Sequence, residues 1–147
     1  MNALSSMITT ARSYLALSLD GVQRVLATTA RPVPGDEYGQ MTDLTSLEIS
    51  EPFPGTLYLK DGVVALVRLN GGGLTEISPA DLSGLYGESA ARLRSRAGKT
   101  VDLWVRPEEG IACSVQGETI HFLEVFPPCS RDDYEARIYR EPPRFIR

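Results

Sequence analysis

Only two cysteines, one histidine and one tryptophan occur in these 147 residues, and each scarcity closes a class of chemistry. A single imidazole, His121, excludes a two-histidine metal site and a histidine relay. Two thiols, Cys113 and Cys129, are too few for a disulfide framework; in a reducing compartment they are expected to be buried or incidental. Lysine is nearly absent, since thirteen of the fifteen basic residues are arginine. The N-terminal stretch has no apolar run longer than Tyr14–Leu17, too short for a secretory or membrane segment, so the expected location is the cytoplasm, with no membrane partner. The one glycine cluster, Gly71-Gly72-Gly73, continues into Leu-Thr rather than Gly-Lys-Ser/Thr, and is read as a connector rather than a phosphate loop. No cofactor, metal or catalytic residue is expected.

What is present describes an ordinary globular chain: 42% hydrophobic and 23% charged, long enough to bury one core without a staple. A net charge of −4 argues against nucleic acid as a partner. The charge is uneven. Residues 1–85 carry nine acids and five bases, whereas residues 86–147 carry ten of each. Two basic runs fall in that second half: Arg92, Arg94, Arg96 and Lys99, then Arg137, Arg140, Arg144 and Arg147. They read as a solvated face or as a contact for an anionic partner.

Hydrophobic periodicity and turn chemistry divide the chain. Ser18 caps a helix over about 19–28 in preference to a hairpin around Asp20-Gly21, and Ile8, Ala11 and Leu15 suggest an earlier helical turn. Residues 29–45, with Pro32, Pro34, Gly35 and Gly39, have the composition of a long loop. Strands are predicted over 46–50, 56–60 and 63–69, the last two joined by the hairpin dipeptide Asp61-Gly62. Ser78-Pro79-Ala80-Asp81 starts a second helix that ends at Tyr86-Gly87. Strands over 99–106, 111–116 and 119–126 follow, with 91–95 as a further candidate. Ser130 and Asp133 then open a C-terminal helix to about residue 140, before Pro142-Pro143.

The halves resemble each other. Leu47–Gly55 matches Leu103–Gly110, both leading into a strand, a turn at Gly62 or Gly117, and a last apolar strand. The reading is one α+β domain over 1–147. Two helix-plus-meander units, about 18–70 and 78–126, build one antiparallel sheet with helices packed on one face, followed by a C-terminal helix. The ending Tyr86-Gly87-Glu88, followed by Trp104, Pro107, Gly110-Ile111, Ile120 and Val125-Phe126, is similar to the β-lactamase-inhibitor-protein-like fold over about residues 18–126. The resemblance implies a curved sheet whose concave face grips another protein. The chain is expected to depart from that fold's secreted and lipid-anchored members in lacking a signal peptide, a lipid-attachment cysteine near the N-terminus and the disulfides of the secreted inhibitor.

For a sheet face that recognises protein, the candidates are Trp104, Arg106, Tyr58 and Arg68, with Arg92, Arg94 and Arg96 beside them, because aromatics and arginine dominate contact energetics. Trp104 is equally at home in the core. Glu124 interrupts an apolar strand; either its face is open to water, the preferred reading, or Arg106 or Arg68 meets it. The functional expectation is a non-enzymatic interaction protein of the immunity, inhibitor or assembly-factor kind, whose partner is another protein. The alternative is a small-molecule binding domain or minor enzyme with a pocket between helices and sheet using His121, Cys113 or Glu124. A third reading, two copies paired through an open strand edge, stays beside them.

Overall fold

A computed structural model describes residues 3–89, 91–95 and 100–139. Arg96, Lys99, Arg140, Arg144 and Arg147, from the two basic runs, lie outside the described residues. Four helices and eight strands follow in the order α1 (Ala3–Tyr14), α2 (Leu19–Val25), β1 (Val33–Tyr38), β2 (Met41–Ile49), β3 (Gly55–Lys60), β4 (Val63–Asn70), α3 (Pro79–Tyr86), β5 (Ala91–Arg94), β6 (Asp102–Arg106), β7 (Ile111–Gln116), β8 (Thr119–Val125) and α4 (Arg131–Arg137). The strands form a single antiparallel sheet in the order β1-β2-β3-β4-β8-β7-β6-β5. Two meanders are thus joined through their last strands.

Local chemistry explains the helix starts. The Ser18 and Ser130 hydroxyls accept from the backbone N–H of Gly21 and Asp133, and the Asp81 carboxylate accepts from Ser78 N–H. The suggested turn near Ile8 is a full helix, α1, which buries Leu4, Ile8, Ala11 and Tyr14 along one stripe. Residues 29–45 are not a loop but most of the β1–β2 hairpin. Pro34 and Gly35 disguised it: β1 is an edge strand, where a missing N–H is tolerated, and its pairing is interrupted twice.

Side-chain alternation separates two cores. On one face Leu47, Leu57, Val67, Val125 and Ile111 lie in one cross-strand row and pack with Ile8, Val22 and Leu82 of α1, α2 and α3. On the other, Leu66, Phe122, Ala112, Leu103 and Val105 pack with Tyr134 and Ile138 of the α4 segment. Full burial of each such aliphatic side chain contributes about 1.5–3 kcal/mol. The C-terminal helix therefore occupies the face opposite α1–α3.

The meanders correspond closely. Leu59 pairs with Val64 beside a bulge, and Val115 pairs with Ile120 beside another, a constant offset of 56 residues. Arg68 and Glu124 share that offset and face each other where β4 meets β8. In the second strands the match slips by one residue, because five residues (50–54) link β2 to β3 and four (107–110) link β6 to β7. Trp104, which pairs with Cys113, therefore holds the place of Leu47, which pairs with Leu57; Leu103 points to the other face.

Candidate functional site

The expected recognition face does not assemble as one surface. Register puts Trp104 beside Cys113 on the α1 face, and Arg106, two residues on, shares it. Tyr58, paired with Leu66, and Arg68 lie on the α4 face. The strand bulges and pairings that set this parity involve residues far apart in sequence.

Arg106 is not available to a partner. It is 3% exposed. Its Nε and Nη2 donate to the Gly87 carbonyl (3.2 and 2.9 Å), and Nη2 lies 3.4 Å from the Ser83 hydroxyl, tying the end of α3 to β6. Burial lowers the guanidinium pKa, an effect opposed by Cys113 and Glu88. Arg106 also lines an open cleft of about 160 Å³ with Tyr86, Glu88, Pro107, Glu108 and Glu109.

Three of the expected contact residues do meet. Arg92 and Arg94 stand exposed on the α1 face of β5, opposite Trp104 and Asp102 of β6. The Arg92 guanidinium sits 4.3 Å from the centre of the half-buried Trp104 ring, a cation–π stack. Trp104 Nε1 is buried and, among the described residues, donates to no partner. This end of the sheet offers an aromatic, two cations and an orphan donor within two adjacent strands.

Glu124 is not solvent-facing: it is 3% exposed. Its Oε1 accepts from the Tyr134 hydroxyl at 2.6 Å, and its Oε2 accepts from the Tyr38 hydroxyl. Arg68 is its cross-strand neighbour, and the Arg68 guanidinium lies 4.4 Å from the Phe122 ring centre. The carboxylate thus bolts together the tip of the β1–β2 hairpin, the α4 helix and the middle of the sheet. Backbone contact supports the bolt, since Gln40 N–H donates to the Arg137 carbonyl at 2.9 Å. A void of only about 10 Å³ adjoins Glu124, room for one water at most. Neither tyrosine was legible as a partner of Glu124: Tyr38 lay in the apparent loop, and 86 residues separate it from Glu124.

The residues named for the alternative pocket do not all share a face of the sheet. Cys113 lies on the α1 face, fully buried, whereas Glu124 lies on the α4 face. His121 is half-exposed, its Nε2 3.0 Å from Gln116 Oε1. Burial pushes the Cys113 thiol up to about 12, far from a reactive thiolate. Because the folded state favours the neutral thiol, that contribution to stability is present below the ordinary thiol range and is lost as pH rises toward 12. Alkylation of the native protein at pH 8 is expected to modify Cys129, which is only partly buried, and to spare Cys113, with both reacting in denaturant. Labelling of both thiols in the native state would contradict the burial.

Among the described residues no three His, Cys, Asp or Glu side chains are grouped to hold a metal ion, and no helix is long and apolar enough to cross a membrane. A cleft of about 300 Å³ lies between the end of α2 and the end of β2, lined by Leu26, Thr28, Ala30, Ile49 and Glu51 among others. No family model, curated protein or solved structure matches the chain.

Proposed function

We propose that this chain is a non-enzymatic protein-interaction module, of the kind an immunity protein, inhibitor or assembly factor represents, and that it engages its partner through the β5–β6 end of the sheet. The observation that carries this reading is the cluster of exposed Arg92 and Arg94 beside half-buried Trp104 at the β5–β6 end of the sheet. The other polar groups considered are held inside the fold: Arg106 by α3, Glu124 by two tyrosines, and Cys113 by the core.

The expected resemblance to the β-lactamase-inhibitor-protein-like fold would put a partner on a sheet face. Here β6–β8 bury side chains on both faces, so the contact moves to the sheet's end. The paired meanders, with their 56-residue offset, support a tandem duplication as the origin of this platform. The proposed location is the cytoplasm.

The test is a photo-reactive amino acid at position 102, on the contact end, or at position 63, in the β3–β4 turn. In native lysate the probe at 102 is expected to give one dominant adduct, reduced at least tenfold by Arg92→Glu with Arg94→Glu. The probe at 63 is expected to give none. Equal adducts at both positions, or none at 102, would remove the reading's support.

A further inference from the structure

The sheet has two outer strands, and they differ in kind. β1 is blunted by Pro34, by Gly35 at φ +86, and by two breaks in its pairing with β2. β5 has none of these features: all four of its residues pair with β6 in unbroken register. The register extends one residue further, where Ser95 N–H donates to the Val101 carbonyl at 3.0 Å.

That bond sets the phase of the ladder. In an antiparallel pair, hydrogen-bonded and non-hydrogen-bonded positions alternate. Ser95 is bonded to β6, so Leu93 and Ala91 are bonded to it as well, and Arg92 and Arg94 turn their backbone groups outward. The Arg94 carbonyl accepts from the Tyr139 hydroxyl at 3.0 Å. Among the described residues, the Arg92 N–H, the Arg92 carbonyl and the Arg94 N–H face away from the sheet with no protein partner.

The two residues with outward backbone are also the two exposed cations. A strand laid along β5 would bring alternate side chains next to the Arg92 and Arg94 guanidinium groups, and acids there would form opposite-charge cross-strand pairs. A second copy of this chain would instead bring arginine against arginine, which is unfavourable. The edge therefore discriminates against itself and in favour of an anionic strand.

We infer that β5 accepts an added strand: an extended, acidic segment of a partner protein, with acids at alternate positions, joins the sheet beside Arg92 and Arg94. This inference rests on the β5–β6 end being the contact surface. It goes further in naming the partner's conformation and charge.

The probe is a synthetic octapeptide of alternating Glu and Val, with a Lys-for-Glu counterpart. Two readouts are taken on the whole chain: the emission of Trp104, its sole tryptophan, and amide hydrogen exchange by NMR. In the free protein the Arg92 and Arg94 amides are expected to exchange quickly and the Leu93 amide slowly. The Glu-Val peptide is expected to shift Trp104 emission and to slow exchange at Arg92 and Arg94 at least tenfold, less so in high salt. The Lys-Val peptide is expected to do neither, and Arg92→Glu with Arg94→Glu reverses the preference. Slow exchange at both arginines in the free protein would overturn the inference, because the edge would already be occupied. A Trp104 response without amide protection would also overturn strand addition, while leaving the contact surface standing. No response to the Glu-Val peptide overturns it as well, and the adduct from position 102 then judges the surface independently.

Discussion

Replacing Glu124 with alanine is expected to lower the unfolding free energy by about 3–5 kcal/mol, the range for removing one partner from a buried charged network. Two losses combine. The Tyr38 and Tyr134 hydroxyls lose the acceptor that Glu124 supplies, in a region with room for at most one water. The hairpin and α4 lose the point at which both are fastened to the sheet. Tyr38→Phe and Tyr134→Phe are each expected to cost about 1–2 kcal/mol, since each removes one charge-assisted hydrogen bond and leaves the carboxylate another donor. Urea denaturation of the three single variants and the Tyr38→Phe/Tyr134→Phe double variant would measure this. A Glu124→Ala loss below about 1 kcal/mol, or strictly additive tyrosine effects, would show that the carboxylate is not the shared anchor.

Gly110→Ala is expected to be comparably severe, at about 3 kcal/mol or more, for a backbone reason. Gly110 ends the turn between β6 and β7 with φ +69, where an L side chain costs about 1–2 kcal/mol. A Cβ added there would lie 2.2 Å from the Phe126 carbonyl oxygen, a distance no side-chain motion relieves. The crowding is built into the fold, because Phe126 N–H donates to the Gly110 carbonyl at 2.9 Å and holds the end of β8 against this turn. Gly62 is the control. It also has a positive φ, +79, but a Cβ there meets nothing within 4 Å, so Gly62→Ala should cost only the conformational penalty of about 1–2 kcal/mol. Thermal or urea melts of the two variants give the comparison. Equal losses would mean that the approach of Phe126 contributes nothing.

The same contrast between local and distant causes decides what was legible in the sequence. The strand Ile111–Gln116, the start of α3 at Pro79 and the cap at Ser130 came directly from turn residues and periodicity, because their determinants lie within a few positions of one another. The β1 strand did not, since an edge position tolerates the proline and glycine that mark a loop elsewhere. Trp104, Arg92 and Arg94 were recognised as contact candidates by residue type. Their separation from Tyr58 and Arg68 was not, because one bulge or one residue of register sends a side chain to the opposite face.

The amino-acid sequence by itself determined the helix caps, the hairpin turns, the α+β class and the scarcity of imidazole and thiol, all of which depend on neighbouring residues or on simple counts. Only the tertiary structure decided that Glu124 is buried between Tyr38 and Tyr134, that Cys113 and Glu124 lie on opposite faces, and that Arg92 and Arg94 turn their backbone away from β6. Those outcomes follow from strand order and pairing phase, which arise only when segments far apart along the chain are brought into register.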